Sequence, residues 1–513
     1  MSKWRNAALP FLAVLMCACS DSNGTQANRI PATRVDQAVA QLDSVVNDVM
    51  TRSGIPGMAI AVVYADQVVY AKGFGVRRVG EPARIEPETV FQLASISKPL
   101  GATVVATQVA ESVVSWDTPV IRHLPWFSMP DPDTTQAVTI GDLYAHRSGL
   151  PDHAGDDLEE VGHGRQSVLE RLHLLPAAPL RSAYAYTNFG LTAAAESVAQ
   201  ASKLPWEALS EQMLYRPLGM NATSSRHADF MSRPNRASPH VRDGDQFVPG
   251  AQREPDAQSP AGGASSNVLD MAKWMQLILN EGRYEGRQIV AREALKPALE
   301  PQMLSSPANG DRPAGYYGYG FNINTSEAGH TRYSHSGAFS MGAATSVAIL
   351  PAARTGIIVL TNAQPIGAAE TVTAAYMDLV ESGTISRDWY EAFTPVFDQL
   401  NAPVGRFAGQ PFPVQPAPPR PAHAYTGAYS NAYFGDATVE AAGDNLTLKI
   451  GPAQQTFALQ HWDGDTFIFE ISGEVSPPGS RSAVTFTPGP GGTATEMNIE
   501  IYDEWGQGTL KRR

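Results

Sequence analysis

Ser95 and Lys98 stand three residues apart, just before an apolar run in this 513-residue chain. On a helix this spacing puts both side chains on one face, one turn apart. Pro99 suits the first turn of a helix, so we expect Ser95 at a helix N-terminus, where free N–H groups favour developing negative charge. Apolar neighbours should lower the pKa of Lys98 by desolvation, so that its neutral amine accepts the serine proton. The plain alternative is a serine cap followed by a surface lysine.

Tyr186 and Asn188 precede a predicted helix over residues 189–200. In an extended segment, residues two apart point to the same side. A phenol and an amide would therefore line one cleft, the phenol shuttling a proton and the amide holding a carbonyl group. Taken alone, the pair is better explained as an aromatic residue packed in a turn and an asparagine that caps a helix.

His335, Gly337 and Ala338 end a predicted strand that starts near His330. Glycine at this point lets the backbone approach a ligand closely. The N–H of Ala338 would then face the nucleophile and stabilise a negatively charged oxygen. The alternative is a core strand that enters a bend.

The order Ser-x-x-Lys, Tyr-x-Asn, His-x-Gly resembles the serine β-lactamase and penicillin-binding-protein-like hydrolase superfamily. Its members include D-alanyl-D-alanine carboxypeptidases, D-aminopeptidases, class C β-lactamases and related esterases. The resemblance extends over about residues 35–385, and it is supported by the segments 143–151, 217–220 and 260–264.

This resemblance implies a role for each of these residues. Ser95 would be the acylated nucleophile, and Lys98 and Tyr186 would share its proton as general base and later acid. Asn188 would bind the amide carbonyl of the substrate, and the N–H groups of Ser95 and Ala338 would form the oxyanion hole.

His335 stands where many β-lactamases and carboxypeptidases carry lysine. A neutral imidazole attracts a substrate carboxylate less well, so the resemblance favours the peptidase and aminopeptidase branches. We expect His146 and Arg147, in the first supporting segment, to be structural. The sequence contains no Gly-x-Ser-x-Gly motif, which disfavours a conventional Ser-His-Asp esterase.

The elements around these motifs predict an α+β fold, in which a β-lactamase-like antiparallel sheet is flanked by helices and joined by a helical subdomain. The hydrolase domain is expected over 35–395, with both of its ends contributing to one sheet. An α/β-hydrolase-like fold would instead need strands and helices to alternate throughout. The predicted elements are a helix at 35–52, a hairpin at 58–71, a mostly helical middle at 94–300, strands at 330–336, 343–350 and 355–361, and a helix at 366–382.

A proline-rich linker is predicted over 396–421, followed by a small all-β module over 422–513. The module resembles the lipocalin-like domain that trails some of these hydrolases. His461 and Trp462 are candidate ligand contacts, although a structural or oligomer-forming appendage is the favoured interpretation. The basic residues 511–513 are interpreted as solvated surface.

The first 18 residues are typical of a secretory signal, with a cationic start and an apolar run too short to span a bilayer. The ending at 15–19 resembles a bacterial lipoprotein box, which would make Cys19 the lipidated first residue of the mature chain. A plain cleaved signal is the alternative. Residues 19–34 are expected to be a flexible tether. The protein is thus expected to be exported, to the periplasm, either free or anchored to a membrane.

Composition excludes several function classes. There are 38 Lys and Arg residues against 51 Asp and Glu, a net charge of −13, so nucleic-acid binding is not expected. Both cysteines lie within the first twenty residues, and the histidines show no metal-binding spacing. No metal and no cofactor are therefore expected.

The sequence thus predicts an exported serine hydrolase that cleaves amide bonds through a Ser95 acyl-enzyme, acting on small or unusual peptides. The same site would serve an esterase or a weak β-lactamase. A third alternative is a non-catalytic penicillin-binding sensor. The expected partners are a small peptide, ester or β-lactam substrate and further copies of the chain in a homo-oligomer.

Overall fold

The computed structural model describes residues 30–310, 313–443 and 445–513. The predicted signal sequence, Cys19 and most of the predicted tether lie outside these ranges. The first helix begins at Ala32, slightly before the expected end of the tether. Among the described residues, no helix has the length and apolar character that a membrane span requires.

The helices and strands follow in chain order. The helices are α1 Ala32–Ser53, α2 Ser97–Ala110, α3 Pro132–Ala137, α4 Ile140–Tyr144, α5 Asp156–Glu160, α6 Arg165–Leu169, α7 Asn188–Ser202, α8 Trp206–Ser210, α9 His227–Ser232, α10 Ser259–Gly262, α11 Val268–Leu279, α12 Arg292–Leu295, α13 Ala368–Ser382 and α14 Trp389–Leu400. The strands are β1 Gly57–Tyr64, β2 Gln67–Gly75, β3 Phe91–Gln92, β4 His240–Asp243, β5 Gln246–Pro249, β6 Ser265–Ser266, β7 Arg283–Tyr284, β8 Arg287–Gln288, β9 Met303–Ser306, β10 Gly315–Tyr317, β11 Asn322–Thr325, β12 Thr331–Phe339, β13 Ala343–Leu350, β14 Thr355–Thr361, β15 Gly427–Asn431, β16 Gly435–Ala442, β17 Asn445–Ile450, β18 Gln455–Asp463, β19 Thr466–Ile471, β20 Ser480–Pro488, β21 Ala494–Ile499 and β22 Thr509–Arg512.

One antiparallel sheet forms the centre of the hydrolase domain, in the order β2-β1-β14-β13-β12-β11-β10-β9. β1 pairs with β14, with Met58 opposite Thr361, so the two ends of the domain meet in the sheet as predicted. β13 and β14 are buried along their whole length because helices cover both faces. On one face, α1 presents a buried stripe at helical spacing (Val35, Ala38, Leu42, Val46, Val49) and packs with α13. The predicted α+β fold is confirmed.

The helical subdomain holds α2 in its interior. Residues 97–108 of this helix are all buried, which explains why its apolar residues show no single stripe. The sequence predicted that the helix would start at Ser95. The structure instead has a single 3-10 turn over Ala94–Ile96, and α2 begins at Ser97.

The C-terminal module is a closed barrel of antiparallel strands in the order β15 to β22. The barrel closes where β15 pairs with β22, which contains the basic residues 511–512. The interpretation of this segment as solvated surface is wrong for Arg512, whose guanidinium donates to the carbonyls of Thr426 and Ala424 and to the hydroxyl of Tyr429. These hydrogen bonds connect the last strand of the barrel, β22, with β15 and the residues just before it.

The proline-rich segment packs against the barrel and forms hydrogen bonds with it. α14 occupies its first residues, up to Leu400. Further on, the N–H of Val404 donates to Ser480 Oγ at 3.0 Å. The ring of Trp462 stacks on Phe407 at 4.3 Å and contacts Phe412 at 5.2 Å. The linker thus buries Trp462. The packing therefore does not support the prediction that Trp462 contacts a ligand.

Candidate active site

Lys98 lies at the centre of the site and its side chain is completely buried. Its Nζ donates to Asn188 Oδ1 at 2.7 Å and to the carbonyl of Ala261 at 3.0 Å, and it lies 3.0 Å from Ser95 Oγ. A neutral amine has two N–H donors and one lone pair. Two carbonyl-type acceptors take two N–H groups, so the third position, which donates to Ser95 Oγ in the protonated amine, becomes the lone pair that faces Ser95 when the amine is neutral.

The electrostatics of Lys98 agree with this geometry. Burial lowers the pKa of Lys98 to about 7, although the Asp156 carboxylate opposes part of that effect. A substantial fraction of the amine is therefore unprotonated at neutral pH.

Tyr186 lies against the same pair of residues. Lys98 Nζ is 4.5 Å from the centre of the Tyr186 ring, and the phenol hydroxyl bonds to Ser95. Burial raises the pKa of Tyr186 well above its usual value, so the phenol keeps its proton. The two environments thus push the pKa values of Lys98 and Tyr186 in opposite directions, which is how sites separate a base from an acid.

The backbone before Ser95 is unusual. Ala94 has φ of 47°, in the left-handed region that residues with a Cβ seldom adopt, at a cost of about 1–3 kcal/mol. Gly337 of β12 packs directly against this turn. A Cβ at Gly337 would overlap the carbonyl oxygen of Leu93 and lie 3.0 Å from the nitrogen of Ser95. Glycine therefore allows β12 to reach the nucleophile. Ala338, the next residue of β12, is exposed, and its oxyanion role stays a prediction.

Asn188 is the first residue of α7, and both ends of its amide are occupied. Its Oδ1 accepts from Lys98, and its Nδ2 donates to Asp156 Oδ2 at 2.8 Å. The same carboxylate oxygen accepts from His153 Nδ1 at 2.8 Å. In this arrangement Asn188 holds the amine of Lys98, and its contact with a substrate carbonyl stays a prediction.

His335 is buried and lies next to the rings of Tyr186 and Tyr317. Its Nδ1–H donates to the carbonyl of Ser336 at 2.6 Å, and its Nε2 accepts from the hydroxyl of Tyr317 at 2.8 Å. Burial, together with the charge of Lys98, lowers the pKa of His335 to about 3. The imidazole is therefore neutral, and both of its nitrogens are bonded within the protein. Its proposed contact with substrate stays a prediction that these bonds do not favour.

His146 packs against the ring of Tyr186. It is completely buried, its Nδ1 accepts the N–H of Thr187 at 3.2 Å, and its ring centre lies 4.5 Å from that of Tyr186. Arg147 forms an ion pair with Asp142 at 2.8 Å. These contacts are structural, in line with the expectation for both residues.

Sequence reasoning missed two partners of the site. Asp156 lies in the acidic run Asp-Asp-Leu-Glu-Glu of α5, which is typical of a solvated surface. Ala261 contributes only its carbonyl, which no side-chain pattern reveals. The segment 260–264, one of the supporting segments, was the available signal for Ala261, and no signal in the sequence singled out Asp156.

Comparison with known proteins identifies the family. The family described as Beta-lactamase matches residues 42–382, and a domain of unknown function, DUF3471, matches residues 412–508. The chain is 25% identical over 468 residues to the unguisins hydrolase ungD of Aspergillus violaceofuscus, covering 82% of this chain and 80% of that protein. It is 26% identical over 288 residues to the D-alanyl-D-alanine-carboxypeptidase/endopeptidase AmpH of Escherichia coli K12, covering 54% and 71%.

A solved structure shows the same fold over nearly the whole chain. The octameric penicillin-binding protein homologue from Pyrococcus abyssi superposes with a TM-score of 0.60 at 20% identity, covering 92% of this chain and 99% of that one. Since the family match extends over more than half of the residues, the chain belongs to the β-lactamase family of serine hydrolases.

Proposed function

We propose that this protein hydrolyses amide bonds in small or unusual peptides through an acyl-enzyme on Ser95. The observation that carries the proposal is the fully buried Lys98, whose amine lies 3.0 Å from Ser95 Oγ and has two other acceptors for its N–H groups. A buried amine with a lone pair directed at a hydroxyl is a general base for that hydroxyl.

In the proposed reaction, the Ser95 proton moves to Lys98 as Oγ bonds to the carbonyl carbon of the substrate. The N–H groups of Ser95 and Ala338 stabilise the resulting oxyanion. The C–N bond then breaks, the leaving amine takes a proton from Tyr186, and Lys98 returns its proton to the phenolate. Water attacks the acyl-enzyme ester by the same route, which releases the carboxylic acid and restores the Ser95 hydroxyl.

The protonated phenol of Tyr186 beside Ser95 supports amides over esters as substrates. An amine leaves only when it is protonated, whereas an alkoxide departs more readily, so a protonated phenol beside Ser95 matters most for amides. The names of the two relatives, a hydrolase and a carboxypeptidase/endopeptidase, agree with this choice. The neutral, fully bonded His335 provides no cation for the carboxylate of a β-lactam.

The test is a substrate panel of L- and D-peptides, p-nitrophenyl esters and a chromogenic cephalosporin, run with wild type and Ser95→Ala. We expect the highest kcat/KM on a peptide, and no turnover or covalent labelling in Ser95→Ala. A preference for esters or the cephalosporin would support the corresponding alternative. Acylation of wild type without release would identify a penicillin-binding sensor.

We also propose that the protein is exported and anchored through a lipid on Cys19, on the basis of the first nineteen residues. Mass spectrometry of the mature N-terminus, with Cys19→Ala as control, tests this maturation. Assembly into a homo-oligomer is a further proposal, which light scattering of the purified protein tests.

A further inference from the structure

Helix α5 lies between the candidate active site and the C-terminal barrel. On one side, Asp156 accepts from Asn188 and from His153. On the other side, Asp157 Oδ1 accepts from the hydroxyl of Tyr433, in the barrel, at 2.7 Å. Adjacent residues of one short helix thus bind a site residue and the barrel.

The barrel provides further partners at the end of α5. Glu160 Oε2 accepts the N–H of Val475 at 3.3 Å, and the carbonyl of Glu160 accepts from the amide of Gln455. The N–H of Ala453 donates to the carbonyl of Val161 at 3.3 Å. Together these bonds fix the C-terminal end of α5 to the barrel.

A helix of this length and charge has little stability of its own. α5 has five residues, and four of them are acidic (Asp156, Asp157, Glu159, Glu160). Isolated helices this short do not form in water, and like charges within one turn repel each other. Glu159 is paired with Arg253 at 2.5 Å, whereas the partners that Asp157 and Glu160 find beyond α5 come from the barrel. The position of α5 therefore depends on the barrel.

A second barrel contact reaches the end of β12, the strand that packs against Ser95. Glu474, in the loop between β19 and β20, accepts the N–H of Ser340 through Oε1 at 3.1 Å. Ser340 lies two residues beyond Ala338. The barrel thus binds both α5 and the end of the strand that packs against Ser95.

We propose that the C-terminal barrel is a positioning element of the active site. By holding α5 it keeps Asp156 against Asn188, and thereby Asn188 against Lys98, while Glu474 holds the end of β12. Tyr433 and Glu474 are its positioning residues. This inference rests on the proposed function, since it concerns the same nucleophile and base.

The test compares Tyr433→Phe with the matched control Tyr425→Phe in the full chain. Each hydroxyl donates to a carboxylate oxygen at 2.7 Å, but the partner of Tyr433 is Asp157 of α5, whereas the partner of Tyr425 is Asp465 of the barrel itself. We expect Tyr433→Phe to lower kcat/KM and the rate of Ser95 labelling by about fivefold or more, and Tyr425→Phe to leave both unchanged. Melting temperatures of the two variants separate this effect from a general loss of stability.

The pH profile supplies a readout that a purely structural role would not move. Asp156 raises the pKa of Lys98, so a displaced α5 shifts the acid limb of kcat/KM to lower pH in Tyr433→Phe only. Glu474→Ala, which removes the acceptor of the Ser340 N–H, serves as a second variant and should also slow labelling. Equal rates and equal limbs in the Tyr433 and Tyr425 variants would overturn the inference alone. A wild type that neither turns over nor labels at Ser95 would overturn the proposed function and this inference with it.

Discussion

Replacing Asp156 by asparagine should move the acid limb of activity to lower pH. The carboxylate and the Lys98 amine are bridged by one amide, with contacts of 2.8 and 2.7 Å, which places the charges about 7 Å apart. At an effective dielectric constant of about 20, their attraction is about 2 kcal/mol, equivalent to about 1–2 pH units. Asparagine retains an acceptor for Asn188 and removes only the charge.

The assay is kcat/KM against pH for wild type and Asp156→Asn. With the wild-type pKa of Lys98 at about 7, activity should be about half-maximal near pH 7 and about 1% of maximal at pH 5. In Asp156→Asn the half-maximal point should fall to between about pH 5 and 6. The matched control is Asp152→Asn: this exposed carboxylate accepts the N–H of Tyr186 at 2.6 Å, an acceptor that asparagine retains, and its charge is screened by solvent. An unmoved limb in Asp156→Asn, or an equal shift in both variants, would refute the assignment of that limb to Lys98.

Three further predictions concern the base, the glycine at the nucleophile and the acidic helix. Lys98→Arg should abolish the acid limb and lower kcat at least about hundredfold, because guanidinium stays protonated; stopped assays from pH 5 to 9 measure this. Gly337→Ala should destabilise the fold by about 2 kcal/mol or more and slow labelling of Ser95, since its Cβ would overlap the neighbouring backbone; thermal melting and labelling rates check both. Burial raises the pKa of Asp157 and of Glu160 to about 7, above the unfolded values, so the folded chain binds more protons and stability should fall as pH rises from about 4 through 7. Melting temperatures at pH 5 and pH 8 should show that fall, and a higher value at pH 8 would contradict it.

The local part of the site could be predicted from the sequence. Ser95 and Lys98 are only one helical turn apart, so their proximity follows from local sequence alone. Apolar neighbours indicated that the lysine is buried. The 3-10 turn at Ala94–Ile96 was missed because no residue there signals a left-handed backbone, which Ala94 adopts only where tertiary contacts impose it.

The long-range part could be predicted only where the residue types themselves carry chemistry. Tyr186 stood out as a phenol two residues before an amide. Asp156 did not, because an acidic run on a short helix is usually solvated, and its burial depends on the distant residue Asn188. For the same reason Arg512 was interpreted as solvated surface: its hydrogen bonds to the start of the barrel exist only once the barrel has closed.

The two pH dependences that converge on α5 change how a bell-shaped activity profile would be interpreted. Such a profile is ordinarily attributed to one catalytic base and one catalytic acid. Here we predict that the rising limb reports Lys98, and the raised pKa of Tyr186 would place loss of the acid far into the alkaline range. A decline that begins just above neutral pH would instead reflect ionisation of Asp157 and Glu160 against the barrel. In that case the decline should follow the loss of melting temperature, and Asp157→Asn should move the decline while leaving the Lys98 limb in place.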